Sequence, residues 1–264
     1  MSYLRYVEQE LAIAKGDVPG HSAVNKFGRT TNADASDPTD IWDRANATND
    51  QAIWLPPTTA RIHAIASTDD NDGKTGAPSS TGARTIQVYG LTSWSTAETS
   101  EVVTLDGTTG VNTGSSYVII HRMKVLTSGA SGPNIGTITA TAATDTTVTA
   151  QIQPSEGQTQ MAIYGIPSTQ TAYMTQYYAS VERASPTGVH VDVALLWVFD
   201  VTAQPRVGQI KHTISLDQEG STYVRHAFNP YNKFVGPGIL KLRANASGSD
   251  SSVDGGFDLI LVNN

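Results

Sequence analysis

The string Asp69-Asp70-Asn71-Asp72-Gly73 sets three carboxylates and an amide before a glycine, the residue types of a calcium loop. Its register works against that chemistry. With Gly73 at the sixth position of an EF-hand loop, the first position falls on Thr68 and the twelfth on Ser79, so both end carboxylates are missing. The segment reads as a solvated turn, with a calcium site completed by distant oxygens as the alternative. The six histidines stand at 21, 63, 121, 190, 212 and 226, none spaced from another histidine or a glutamate as metal ligands on one local element would be. His63 and His121 fall within strand-like segments and read as structural residues satisfied by backbone partners.

Nucleophilic chemistry finds no Gly-x-Ser-x-Gly elbow, and no phosphate-cradling glycine loop opens a helix. Glycosidase chemistry needs two facing carboxylates, for which Glu98, Glu101, Glu156 and Glu182 are candidates that sequence does not pair. The absence of cysteine removes thiolate metal sites, cysteine nucleophiles and disulfides together. No catalytic, cofactor-binding or metal-ligating residue is assigned, so the chain is expected to be no enzyme and to carry no cofactor. Among the aromatic residues, Trp197 lies in Ala194-Leu195-Leu196-Trp197-Val198-Phe199, too apolar for a ligand face, and is expected in the core. Trp94, in the polar loop Thr92-Ser93-Trp94-Ser95-Thr96, is the candidate for ligand contact.

The elements that must position these residues are strands. Between Gly136 and Gln153, Ile138, Ala140 and Ala142 alternate with threonines, then Val148, Ala150 and Ile152 alternate with Thr147, Thr149 and Gln151. A period of two places a small apolar row on a core and a hydroxyl row on the other face, with Asp145 in the turn of an antiparallel hairpin. Strand-length segments stand before and after it at 61–66, 85–89, 101–105, 117–126 (more continuously apolar), 159–166, 172–182, 189–201, 209–216, 223–228, 238–246 and 257–262, separated by Gly-, Pro- and Ser-rich turns. Evenly spaced short strands of this kind predict an all-β, antiparallel β-sandwich of jelly-roll type.

Ahead of this body, Leu4, Val7, Leu11 and Ala14 repeat at helical spacing between Ser2 and Gly16, which predicts a short amphipathic helix. Three turns of helix are marginal alone, so the apolar stripe must dock on its own domain or on a neighbour. Residues 16–50 show no period. Residues 1–50 are therefore expected to form an extended N-terminal arm, with Leu4, Val7, Leu11, Phe27 and Trp42 as anchors at an assembly interface, and residues 51–264 the sandwich body.

A chain of 264 residues buries roughly 70–75% of its unfolded surface and needs no crosslink to fold. Only 16% of its residues are charged, leaving a skin of Thr, Ser, Asn, Gln and Gly. A net charge of −7 with no Lys/Arg cluster argues against nucleic acid as a partner, and no segment approaches an apolar membrane span. Glu8 and Glu10 stand where a signal peptide would have its apolar run.

The segments Ala52-Ile53-Trp54-Leu55-Pro56-Pro57-Thr58-Thr59-Ala60-Arg61-Ile62-His63 and Glu156-Gly157-Gln158-Thr159-Gln160-Met161-Ala162-Ile163-Tyr164-Gly165-Ile166-Pro167 resemble virion structural proteins of tailed bacteriophages, marine ones in particular. The likeness extends to Val18-Pro19-Gly20-His21-Ser22 and to Gly255-Gly256-Phe257-Asp258. It implies a component of the virion, made in the host cytoplasm, and transfers no catalytic or binding residue. The expectation is a non-enzymatic capsid decoration or cement protein, a homo-oligomer with a trimer as one symmetry, whose partners are the major capsid or other virion proteins. The alternative is a tail or head-fibre adhesin that binds host-surface glycan near Trp94 and Asp69–Asp72.

Overall fold

Alternation of apolar and hydroxyl residues gives sheet along most of the chain. The computed structural model describes residues 2–33, 35, 37–46, 51–73, 81–182, 189–202, 207–217, 219–248 and 251–264. Helix α1 (Ser2–Lys15) is closed by Gly16 at φ +80° and followed by strands β1 (His21–Ala33) and β2 (Thr39–Asp40) and a 3-10 turn at Asp43–Asn46. Next come β3 (His63–Ser67), β4 (Ala83–Leu91), β5 (Thr99–Thr104), β6 (Val111–Asn112), β7 (Ile119–Ser128), β8 (Ile138–Ala142) and β9 (Val148–Ile152). The chain ends with β10 (Ile163–Ile166), β11 (Gln170–Glu182), β12 (His190–Asp200), β13 (Val207–Asp217), β14 (Tyr223–Val235), β15 (Gly238–Ala246) and β16 (Ser251–Asn263).

The protein is all-β, and its sheets are antiparallel. The first runs β1-β16-β11-β14; the second runs β10-β15-β12-β13, with β2 beside β15. Their facing sides share one core, in which Leu195, Trp197, Leu240 and Leu242 of the second sheet meet Met174, Tyr177, Phe257 and Leu259 of the first. Residues between β2 and β10 form an insertion of two further sheets, β6-β3-β8-β9 and β5-β4-β7, around a second core containing Ile65, Ile86, Ile119, Met123, Ile138 and Ile152.

The second sheet lies between the two cores, which explains the near-continuous burial of β15. Leu240, Leu242 and Ala244 face the first core, whereas Ile239 belongs to the second. At the start of this strand a Cβ on Gly238 would stand 2.0 Å from the Trp197 ring, so glycine is needed for the indole to close the sandwich.

The structure departs from the expected 1–50 arm at His21. Thirteen residues from His21 to Ala33 pair with β16 along nearly their whole length, placing them within the first sheet. The strand escapes a search for apolar alternation because its inward row is Val24, Lys26, Gly28 and Thr30. A Cβ on Gly28 would meet the Ala162 nitrogen at 2.4 Å and the Ile41 carbonyl at 2.6 Å, so this row has little room for bulk. Of the proposed arm, helix α1 lies outside the strand framework.

The 138–152 hairpin forms as β8 and β9, with Ala140 opposite Ala150. Its expected hydroxyl face is not solvated on β9: Thr149 and Gln151 are buried. The Trp54 indole covers that side, donating from Nε1 to the Thr149 carbonyl at 2.8 Å, and Arg44 reaches Gln151 at 3.3 Å.

Candidate functional site

Two regions gather polar side chains from several strands. The first is the outer face of the β1-β16-β11-β14 sheet. The register brings Asn25, Asp258, Gln176 and Ala227 into one row across the four strands, with Arg225 beside it. Asn25 and Gln176 both donate to the Asp258 carboxylate, and Arg225 Nε donates to Gln176 Oε1, giving a hydrogen-bonded ladder across the sheet. Helix α1 stands over this face, enclosing a groove of about 920 Å³. Its attachment includes Ile13, which is 5% exposed, and a hydrogen bond from the Tyr231 hydroxyl to Glu10 at 2.9 Å. Leu11, on the same helix, is 52% exposed.

The second region joins the sandwich to the insertion. Lys26 of β1 donates to the His121 carbonyl, and His121 Nε2 lies 2.5 Å from Glu98 Oε2. The Tyr164 ring packs 4.4 Å from the His121 imidazole, and the Gly165 N–H points to His121 Nδ1 at 3.5 Å. Burial drives the Lys26 ammonium well below its ordinary range, with Arg122 adding repulsion. Burial also lowers His121, against the pull of Glu98. Burial works upward on Glu98, yet the hydrogen bond and charge of His121 carry it below its usual value. Each member already has a partner inside the cluster, and the cavity beside it is only about 170 Å³. Its chemistry is that of a polar latch between the two cores.

Asp72 takes a role different from the expected solvated turn. It is wholly buried and accepts hydrogen bonds from Ser67 Oγ (2.7 Å), Ala83 N (2.8 Å), Ile135 N (2.9 Å) and Gly136 N (2.7 Å). These donors occupy the oxygens a cation would need, so the acidic string ties three loops together. Asp70 is exposed and accepts from Thr108, whose hydrogen bonds lower its pKa. Among the described residues, no group of three or more His, Cys, Asp or Glu could hold a metal ion.

The candidate carboxylates are engaged separately. Glu98 meets His121, Glu101 accepts from the Tyr117 hydroxyl at 2.7 Å, Glu156 accepts from Gln160, and Glu182 pairs with Arg29 at 3.2 Å. His63 fits its structural reading, with Nδ1 3.0 Å from the Arg61 carbonyl. Since a carbonyl only accepts, Nδ1 carries the proton, and among the described residues the buried Nε2 has no hydrogen-bond partner.

The proposed interface residues separate. The side chains of Leu4 and Val7 lie outside the described residues, although their backbone belongs to α1. Leu11 is exposed, and Phe27 is half-buried on the outward face of β1. Trp42 departs from the expected interface role: it is fully buried in the second core and donates from Nε1 to the Gln51 carbonyl at 3.0 Å, so it offers no surface to a partner. Trp94 is half-buried, packed against the second core beside a shallow depression that Val118 and Pro237 also line. Trp197 is in the first core, 5.3 Å from the Phe234 ring.

Sequence reasoning missed the Lys26–His121–Glu98 latch and the outer-face ladder because their members are distant in sequence. The alternation of individual strands could have found the faces, but not which strands are neighbours. Among the described residues, no helix is long and apolar enough to cross a membrane.

No protein-family model matches the chain, and no curated protein matches it. Among solved structures, the infectious bursal disease virus VP2 subviral particle aligns at 9% identity and TM-score 0.23, covering 94% of this chain and 72% of that one. Infectious bursal virus derived T=1 particles align at 10% identity and TM-score 0.19, covering 92% and 70%. At these TM-scores the likeness assigns neither fold nor function.

Proposed function

We propose that this chain is a non-enzymatic structural protein of a bacteriophage virion, a capsid decoration or cement subunit that binds its neighbours through the N-terminal helix. The reading is supported by strand order. Omitting β2, the orders β1-β16-β11-β14 and β10-β15-β12-β13 are those of an eight-stranded jelly roll. The observation that carries the assembly role is α1 itself: a 14-residue helix on an outer sheet face, with Ile13 buried and Leu11 turned to solvent. A helix so short is poorly stable without packing, and an exposed leucine on it offers apolar area to another subunit. Weak contacts repeated by symmetry bind strongly together.

The test compares the full chain with residues 17–264 in binding to particles that lack the protein. The shortened chain keeps every strand and should melt as a folded body while losing at least tenfold in binding. Undiminished binding by a folded 17–264 chain would contradict the role of the helix.

A further inference from the structure

Where the insertion meets the outer side of the second sheet, a cavity of about 490 Å³ has walls of Trp54, Leu55, Pro56, Leu196, Val198 and Ile239. Trp54 is held rigidly, donating its N–H to Asp40 at 2.9 Å and its indole Nε1–H to Thr149. Lys241 and Arg243 line the same cavity from alternate positions of β15. Both pair with one carboxylate: Lys241 Nζ lies 2.6 Å and Arg243 Nε 2.7 Å from the two oxygens of Asp40. Two cations on one anion leave a unit of positive charge unmatched within this trio. Arg243 uses only Nε in that contact, and among the described residues Nη1 and Nη2 donate to no protein group. Asp145, also on the lining, has both oxygens engaged by Arg61 and Thr58.

We propose that this cleft binds an amphiphilic carboxylate, an aliphatic chain with one anionic head. The apolar walls take the chain, and the free edge of the Arg243 guanidinium takes the head as a charge-assisted pair. Volume and lining suit a small ligand with a single polar anchor. Burial depresses the Lys241 ammonium despite Asp40, so a second negative charge nearby would favour its protonated form. Nothing in this inference depends on the virion role.

Calorimetric titration of the full chain with decanoate, decanol and decyltrimethylammonium, each below its micelle-forming concentration, tests the site. Decanoate should bind saturably at one site per chain, at least tenfold more tightly than decanol, with the cationic amphiphile weakest. Arg243→Gln should remove the preference for decanoate over decanol. Leu196→Trp, at a half-buried wall position, should abolish binding of both, and thermal melts of each variant establish that it is folded. No saturable decanoate binding, equal affinity for decanol, or a preference retained by folded Arg243→Gln would overturn the proposal. So would undiminished binding by folded Leu196→Trp.

Discussion

Lys241 Nζ lies 2.6 Å from Asp40 Oδ2, a contact that spans 201 positions of sequence and is almost wholly shielded from water. Strand β2 exists to make it: its two residues pair with Arg243 and Ala244, setting Asp40 beside both cations of β15. The same carboxylate receives the Trp54 N–H, so one acidic residue fixes the seam between sandwich and insertion.

Replacing Asp40 by Asn should therefore destabilise the protein by about 3–5 kcal/mol, since it strands buried positive charge rather than removing a surface pair. Urea unfolding measures the loss. A cost below about 1 kcal/mol would mean that Lys241 and Arg243 find other partners at no expense.

Stability should fall on acidification from neutral pH. Burial lowers His63 from 6.5 to about 4, with the Arg61 carbonyl and Asp145 opposing, so the unfolded chain takes up a proton that the folded chain refuses. The His63 contribution is complete above pH 6.5 and is lost between pH 6.5 and about 4, on the order of 3 kcal/mol in all. His121 is lowered by burial too and acts in the same direction. The depressed Glu98 adds a loss at lower pH, as its folded-state carboxylate is protonated. Urea midpoints at pH 7 and pH 4.5 should show the decline, and His63→Phe should reduce its slope.

Asp72→Ala should cost at least about 3 kcal/mol, because it orphans the Ala83, Ile135 and Gly136 N–H groups together. Calcium should leave the melting temperature of the unaltered protein unchanged. A calcium-dependent rise abolished by Asp72→Ala would instead make the acidic string a metal site.

Helix α1 should be the least stable of the described elements. Ile13→Asp removes its buried anchor, so amide hydrogen exchange in α1 should approach that of a free peptide while β11 and β16 keep their protection. Equal loosening of these central strands would show that the helix is part of the cooperative core.

Most strands were legible from local alternation: β15 spans the residues expected for it, and β8 and β9 form the expected hairpin. The failure at β1 has a physical cause. Its inward row carries Lys26 and Gly28 because the latch needs an amine and the Ile41–Ala162 backbone leaves no space, so the usual apolar signal is absent. The strand count left room for an inserted hairpin, but not for two inserted sheets with their own core: strands lining either core alternate alike, and only pairing separates them. Trp42, seen as a lone aromatic in an aperiodic stretch, suggested an exposed anchor, although it closes the second core. Asp40, Lys241 and Arg243 could not be joined before the register of β2 with β15 was known.

Cryo-microscopy of the intact virion tests the central claim most directly. Density for the β-sheet body and its insertion should appear in many symmetry-related copies on the capsid, with α1 wedged against a neighbouring subunit and Leu11 in the contact. Particles without this protein, or copies confined to the tail with α1 facing solvent, would contradict it.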